Sequence, residues 1–295
     1  MITVKNQKFG VEIEFTGITR SKAANVVAEY FGTGSPSGRN DYNVRDGQNR
    51  IWKVVYDGSI ETLGYGDSYR CELVSPILQY DDIEVIQEIL RQLRAAGAKV
   101  NSSCGIHVHV DGANHTPTSL KNVVNFMCAR QDLIYDALGV YNNRINYCKK
   151  ICKELVKKIK KTKDLSRADI ARLWYSRANH NYHGGIDTSS NYNNTRYQCL
   201  NLHSYFNKGT VEFRMFNATT HAGELKAYIQ FSLAVSAWAI NSSDNILFKN
   251  ISNYTPEQKV TNMVAVLTGR LGMTGTEFKT ARFHFIKNLK AQAVA

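Results

Sequence analysis

The clearest pattern along the chain is an alternation of apolar and acidic residues between positions 8 and 15. Val11, Ile13 and Phe15 alternate with Glu12 and Glu14, as in a β-strand whose successive side chains point to opposite faces. An ordinary half-buried strand with its acids in water gives the same pattern. From this stretch alone, a solvated strand and a functional strand both stay open.

Four further stretches place ionisable or polar side chains on one face of a predicted strand. They carry Asp57, Ser59 and Glu61, then Glu72, then His107, His109 and Asp111, and finally Glu212 and Arg214. If these strands pair in one sheet, the apolar face packs on helices and the other face gathers carboxylates, imidazoles and a guanidinium. The pattern therefore predicts a functional site on the polar face of a single sheet.

Carboxylates held close together on such a face repel one another unless cations lie between them. Most of the candidate ligands are carboxylate oxygens, and the remainder are imidazoles rather than thiolates. This chemistry suits hard ions such as Mg²⁺ or Mn²⁺ better than zinc. The sequence therefore predicts bound divalent cations.

Helical patterns separate the predicted strands. The predicted helices run from Thr19 or Ser21 to Gly32, from Asp81 or Asp82 to Gly97, from Thr116-Pro117 to Leu138, from Ser166 to about Ala178, and roughly over 221–241, 255–268 and 276–290. An Asp57-Gly58 turn and an Asn207-Lys208-Gly209 turn predict two hairpins, the second between strands at 196–205 and 210–216. Helices interspersed with hairpins predict an α+β fold with a largely antiparallel sheet.

Size alone does not fix the number of domains, since 295 residues suit one large domain or two modest ones. No stretch of the sequence resembles a linker. The first residues lack the apolar core of a signal peptide, and no apolar run approaches the length of a membrane span. These features predict a cytoplasmic protein without membrane association. Six cysteines without a Cys-x-x-Cys pair predict reduced, mostly buried thiols.

The charge is strongly positive, with a formal net charge of +12. Residues 149–172 contain ten Lys or Arg against Glu154, Asp164 and Asp169, a local charge of 10 − 3 = +7. Apolar residues at helical spacing in the same segment favour a solvated helix face. An anionic partner, either a polymer such as nucleic acid or a phosphorylated substrate, stays open as the alternative.

In order along the chain, these motifs resemble the amidoligase branch of the carboxylate-amine ligase superfamily, which includes glutamine synthetase and glutamate-cysteine ligase. The motifs that carry the resemblance are Gly10-Val11-Glu12-Ile13-Glu14-Phe15, Asp57-Gly58-Ser59, Glu72-Leu73-Val74-Ser75-Pro76, the segment Cys104 to Asp111, the segment Arg196 to Leu202, and Thr210-Val211-Glu212-Phe213-Arg214. They span residues 10–216 and leave the C-terminal helices without a motif.

The resemblance implies a curved, largely antiparallel sheet with helices on its convex face, the catalytic fold of glutamine synthetase and the guanidino kinases. It implies one catalytic domain over 1–295, with a basic helical insertion at about 116–180 and a helical C-terminal portion at about 221–295. The implied cofactors are ATP and two or more Mg²⁺ or Mn²⁺ ions.

The resemblance also implies roles for individual residues. Glu14 and Glu72 would hold one metal ion, and Glu12, His107 and Glu212 would hold another. His109 would face the nucleotide phosphates, and Arg214 would offset charge on the transferring phosphoryl group. The positions expected to contact nucleotide or substrate are Arg196, Asn201, Asp57 and Ser59, while Glu61 is expected either to be a further ligand or to be exposed.

The implied chemistry activates a carboxylate with the γ-phosphate of ATP and then forms an amide by attack of an amine. Positioning and charge compensation are the main requirements of phosphoryl transfer. Amino acids, peptides and related amines are the expected substrates. A metal-dependent hydrolase, a phosphotransferase, and a non-catalytic nucleic-acid-binding protein on a ligase-like fold stay open as alternatives.

Overall fold

Eight strands form one antiparallel sheet in the computed structural model, which describes residues 1–62, 64–243, 248 and 250–294. The strands are β1 (Phe9–Phe15), β2 (Ser37–Gly38), β3 (Tyr42–Arg45), β4 (Ile51–Val55), β5 (Cys71–Val74), β6 (Gly105–Asp111), β7 (Leu200–Asn201) and β8 (Thr210–Asn217). Residues 244–247, 249 and 295 of the predicted C-terminal helical portion lie outside the described residues.

The order of the strands across the sheet is β2-β3-β4-β5-β1-β6-β8-β7, and every neighbouring pair is antiparallel. The strands that carry the predicted site residues are therefore neighbours, although they lie far apart along the chain. The predicted α+β class with a largely antiparallel sheet is confirmed.

Nine helices accompany the sheet in the described part of the chain. They are α1 (Arg20–Phe31), α2 (Ile83–Ala95), α3 (Pro117–Leu138), α4 (Lys153–Lys161), α5 (Arg167–Trp174), α6 (His203–Lys208), α7 (Ala222–Asn241), α8 (Pro256–Ala265) and α9 (Lys279–Val294). None of these helices combines the length and the apolar character that crossing a membrane requires.

Capping residues set the ends of α1 and α3 where the sequence predicts them. Thr19 accepts a hydrogen bond from the third residue of α1, and Gly32 ends that helix with a positive φ of 64°. Thr116 caps α3, which Pro117 opens and Gly139 ends. These boundaries follow from local hydrogen bonding and backbone conformation, so the sequence alone was enough to predict them.

The apolar face of the sheet forms the core. Val11, Ile13, Val108 and Phe213 are buried, and α7 packs against β6 beneath them. A shift of register between β6 and β8 lies between the pairs Val108–Phe213 and Ile106–Phe216. The bulge shifts the alternation of core-facing side chains along β8 by one residue. The part of β8 beyond the bulge therefore still contributes apolar side chains to the core.

The hairpin predicted around Asn207-Lys208-Gly209 is wrong, although its two strands are neighbours. Only Leu200 and Asn201 of the first predicted strand pair with β8, and the chain then forms α6 before Gly209 ends that helix with a φ of 78°. The side-chain oxygen of Asn201 accepts hydrogen bonds from the backbone N–H groups of His203 and Ser204, which begins the helix.

The chain turns at Asp57-Gly58 as predicted, since the Ile60 N–H donates a 3.4 Å hydrogen bond to the Asp57 carbonyl, but the tight hairpin predicted there is wrong. β4 and β5 pair antiparallel as expected, but residues 56–70 connect them. The basic segment forms α4 and α5, and α5 begins at Ser166 as predicted, because Ser166 and Asp169 form a capping box. The cysteine prediction is confirmed, since all six are free and five are buried.

Candidate active site

The register of the central strands sets the predicted site residues opposite one another. Glu12 on β1 faces His107 on β6, and Glu14 on β1 faces Glu72 on β5. On the other side of β6, His109 faces Glu212 on β8. Directly opposed residues of antiparallel strands share a face of the sheet, so these six side chains lie together on the polar face.

The two histidines lie among the carboxylates. His107 Nδ1 is 2.9 Å from Glu12 Oε2, and its Nε2 is 3.6 Å from Glu14 Oε1. His109 Nε2 is 3.2 Å from Glu12 Oε1 and 3.8 Å from Glu212 Oε1. Burial raises the pKa of Glu12, but the charges of His109 and His107 outweigh burial and hold that pKa well below its usual range.

Glu212 and Arg214 form a buried ion pair on β8. Asn201 Nδ2 donates a hydrogen bond of 2.6 Å to the other carboxylate oxygen of Glu212. Burial disfavours the ionised form of Glu212, but Arg214 and His109 outweigh burial and lower its pKa to about 2. Glu212 is therefore a fixed negative charge, oriented by a guanidinium on one side and an amide on the other.

Unlike Glu212, Glu72 and Glu14 lie in an environment that disfavours the ionised carboxylate. Burial, followed by the charges of Glu12 and Glu14, raises the pKa of Glu72 well above its usual range. Burial also raises the pKa of Glu14, whose Oε2 accepts a 2.6 Å hydrogen bond from the Gly105 N–H. Without a cation, this end of the site holds more negative charge than its surroundings neutralise.

Three groups of side chains on this face can each hold a metal ion, since one ligand atom from every member lies within 4.8 Å of the others. The groups are Glu12, His109 and Glu212; Glu12, Glu72 and His107; and Glu14, Asp57 and Glu72. His109 Nε2 is buried 3.2 Å from Glu12 Oε1, but the geometry is not that of a hydrogen bond, which leaves this nitrogen available to a metal. Ligand sets in which carboxylates outnumber imidazoles suit Mg²⁺ or Mn²⁺.

A cavity of about 380 Å³ opens over these groups, and we call it the central cavity. Glu12, Glu72, His107, Glu212 and Arg214 form its floor. Asn207 and Lys208 of α6 also line it, together with Tyr192 and Arg196.

Two smaller cavities share residues with the central cavity and differ in character. The cationic arm, of about 220 Å³, is lined by three arginines and three tyrosines. These are Arg144, Arg196, Arg214, Tyr147, Tyr192 and Tyr197, and the remaining lining residues are Glu14, Asp57, Ser59, Ser103 and His107. The apolar arm, of about 350 Å³, is lined by Phe9, Val11, Val74, Pro76 and Ile77 and reaches the central cavity at Glu12 and Lys208.

The structure brings nearly all of the predicted site residues to these three cavities. Asp57, Arg196 and Asn201 line the central cavity, and Ser59 lines the cationic arm. Glu61 is exposed and belongs to none of the three candidate metal groups. The metal and nucleotide roles of individual residues stay predictions.

Sequence reasoning missed Lys208, Tyr192 and Arg144. Lys208 Nζ lies 3.9 Å from Glu12 Oε1, yet its Asn-Lys-Gly context indicated only a turn. Tyr192 lies in a polar stretch without periodicity, and Arg144 lies between α3 and the basic segment. These three positions carried no sequence signal, because only the packing of distant segments brings them to the site.

A family model matches most of the chain. The model of the family described as "Putative amidoligase enzyme" matches residues 5–236. Among solved structures, the chain is similar to a bifunctional glutathione synthetase from Pasteurella multocida, with 13% sequence identity and a TM-score of 0.36. That match covers 99% of this chain but 47% of the other, so the chain spans about half the length of that protein. No curated protein matches the chain.

Proposed function

Because this chain belongs to the amidoligase family whose model matches most of its length, we propose that it is an ATP- and Mg²⁺-dependent ligase that joins a carboxylate to an amine. The observation that carries the proposal is the convergence of Glu12, Glu14, Glu72 and Glu212 with His107 and His109 on one face of the sheet. The proposal treats residues 1–295 as one catalytic domain of the glutamine synthetase type, in which about 116–180 is a helical insertion.

The candidate metal groups support two or more divalent cations, although their members differ from the two ligand sets that the resemblance implies. His109 rather than His107 shares a group with Glu12 and Glu212. His107 instead groups with Glu12 and Glu72, and Asp57 with Glu14 and Glu72. Divalent cations held by these residues would neutralise the carboxylates and stabilise negative charge on a phosphoryl group. Either histidine is close enough to serve as the nitrogen ligand.

The protein's own cations are suited to phosphoryl transfer. Arg214 is fixed by Glu212, and Lys208 extends toward Glu12 at the boundary between the central cavity and the apolar arm. In the proposed reaction, a substrate carboxylate oxygen attacks the γ-phosphorus of ATP and ADP leaves. The amine nitrogen then attacks the acyl carbon of the acyl phosphate, and phosphate and a proton leave. Oriented cations stabilise the charge that moves between these oxygens.

The two arms support a division of the substrates. The apolar arm, with Phe9, Pro76 and Ile77 among its walls, suits the nucleotide base, because ligand sites for planar groups are mainly apolar. The cationic arm suits the acid, because Arg196 and Arg214 offer guanidinium groups that match a carboxylate. With the substrates divided in this way, the γ-phosphate would lie between the arms, near the metal groups.

ADP release tests the proposal directly. The purified protein is incubated with ATP, Mg²⁺ and paired acids and amines, and ADP and amide are measured separately. We expect both products, in equal amounts, only when nucleotide, metal, acid and amine are all present. Amide cleavage without nucleotide would instead indicate a hydrolase, and ADP with a phosphorylated acid but no amide would indicate a phosphotransferase.

Substitution of Glu12 by Gln is the matched test of the site. Loss of one carboxylate shared by two metal groups should lower ADP release at least about 100-fold, the scale of losing one transition-state contact. Glu84→Gln makes the same chemical change at an exposed position on α2 and should leave the rate unchanged. Wild-type turnover by Glu12→Gln would overturn the metal assignment.

A further inference from the structure

The basic segment presents an exposed row of lysines, which we call the lysine face. Its members on α4 and the following turn are Lys157, Lys158, Lys161 and Lys163. Each is exposed, and within the described residues no carboxylate lies within ion-pair distance of any of the four. The opposite side of α4 is buried, with Leu155 and Ile159 in the core.

Positive charge is concentrated in this part of the molecule. Residues 149–172 are 24 of 295 residues, yet their charge of +7 is more than half of the net +12. Like charges this close repel one another, so a bound anion would reduce the repulsion and stabilise the folded protein. A helix face that serves only for solubility mixes both signs, whereas this segment has three acids against ten bases.

A second feature lies at the mouth of the cationic arm, and we call it the tyrosine lip. The Arg196 guanidinium lies between two rings, 5.3 Å from the ring centre of Tyr192 and 4.9 Å from that of Tyr197. Tyr147 packs edge-on against Tyr197 at 5.9 Å. Tyr192 is 78% exposed and Tyr147 42% exposed, so both keep ring surface open to solvent. Exposed rings stiffened by a guanidinium are suited to stacking with planar groups.

A backbone pairing joins the tyrosine lip to the segment that leads into the lysine face. The Lys149 N–H donates a 3.0 Å hydrogen bond to the Tyr197 carbonyl, and the Cys199 N–H donates one of 2.8 Å to the Lys149 carbonyl. Only Lys150, Ile151 and Cys152 then separate Lys149 from the start of α4. This segment carries Lys149, Lys150 and Lys153, of which Lys150 is paired with Asp132, and a single strand that contacts both the lip and the lysine face would run along it.

We propose that this combined surface binds single-stranded nucleic acid, with its phosphates on the lysine face and its bases on the tyrosine lip. Eight of the ten basic residues in 149–172 are lysines, which bind phosphates as point charges. The exposed rings of the tyrosine lip favour nucleic acid over an acidic peptide, because only nucleic acid brings planar bases to stack on them. A membrane surface fits less well, because the apolar side of α4 is already buried in the protein. This binding requires neither ATP nor a divalent cation.

Fluorescence anisotropy with a labelled oligonucleotide of about 15 nucleotides, in EDTA and without ATP, tests the proposal. We expect binding at about 50 mM salt that weakens steeply as salt is raised. The triple variant Lys157→Ala, Lys158→Ala, Lys161→Ala should reduce the slope of log affinity against log salt by about 2, since each phosphate contact on a single strand contributes about 0.7. Its affinity at low salt should fall at least about ten-fold.

The control is the triple variant Lys22→Ala, Lys279→Ala, Lys290→Ala, which removes the same charge from exposed positions on α1 and α9. It should bind like the wild-type protein. Equal losses in both triple variants would mean that net charge alone drives binding, and the proposal would then be wrong. Circular dichroism melting of both variants checks that each remains folded.

Two further measurements separate the sources of affinity. Tyr192→Ala should weaken single-stranded binding several-fold and leave binding to a duplex of equal length unchanged, because paired bases cannot stack on the lip. Polyglutamate at equal charge should compete poorly. If polyglutamate competes as well as the oligonucleotide, or if the duplex loses as much affinity as the single strand, the surface recognises charge of any kind and the assignment to single-stranded nucleic acid fails.

Discussion

The two faces of the central sheet are built from the same strands and behave in opposite ways. On one face, Ile13 and Phe213 are fully buried among apolar neighbours. On the other, Glu12 and Glu212 lie within 4 Å of histidine nitrogens, and Glu212 is as deeply buried as many core residues. Because side chains alternate along a strand, neighbouring residues of the same strand lie in the core and in the candidate site.

The difference shows where stability and activity come from. Burying a large apolar side chain stabilises the fold by about 1.5–3 kcal/mol, whereas burying a charge costs free energy unless a partner offsets it. The apolar face therefore holds the polar face in place, and the polar face keeps charges that only partners or cations neutralise. Substitutions on the two faces should consequently affect different measurements.

The largest expected effect comes from breaking the buried pair of Glu212 and Arg214. Glu212→Ala leaves the guanidinium buried without its carboxylate and should lower the free energy of unfolding by about 3–5 kcal/mol, besides abolishing turnover. Urea unfolding and ADP release measure the two effects. The double variant Glu212→Leu, Arg214→Met should recover most of the stability and none of the activity; recovery of activity would contradict the proposed role of the pair.

On the apolar face, Ile13→Ala should lower the free energy of unfolding by about 2–4 kcal/mol, because it leaves a cavity in a fully buried position. The rate of ADP release per folded molecule should stay near the wild-type value. Ile77→Ala makes the same chemical change where the side chain is 71% exposed and should leave urea unfolding unchanged. If Ile13→Ala abolished turnover in the folded protein, the two faces would not be separable.

A smaller effect is expected at Glu72, whose pKa is raised in the folded protein. A carboxyl group of this kind stabilises the fold while protonated and loses that contribution as pH rises from its unfolded pKa of about 4.3 through the higher folded value. In EDTA, Glu72→Gln should therefore be more stable than the wild-type protein at neutral pH, and this advantage should shrink toward pH 4. Saturating Mg²⁺ should remove or reverse it. An advantage independent of pH would mean that charge repulsion is not its cause.

The smallest expected effect is at Lys208, which is half exposed and 3.9 Å from Glu12. Exposed ion pairs contribute at most about 1 kcal/mol, so Lys208→Ala should leave urea unfolding unchanged. The KM for ATP should rise by about three- to ten-fold, more than kcat falls, because Lys208 lies where the apolar arm meets the central cavity. Lys53→Ala, an exposed lysine outside these cavities, is the matched control.

Local chemistry explains which elements were predictable. The ends of α1 and α3 follow from Thr19, Gly32, Thr116 and Gly139, whose effects act within a few residues. α6 was missed because its sequence also fits a strand. Contacts from distant segments favour the helix, including a hydrogen bond from the His203 Nε2–H to the Ser190 carbonyl and one from the Tyr175 hydroxyl to His203 Nδ1.

By itself, the sequence determined which side chains could share a face, because the two-residue period of a strand is a local property of the backbone. It placed Glu12 beside Glu14 and His107 beside His109, and it indicated a family that uses such residues. Only the tertiary structure decided that β5, β1, β6 and β8 are neighbours, and that His109 meets Glu212 while Glu72 meets Glu14. Strand order and register depend on contacts between residues far apart along the chain, which no local pattern encodes.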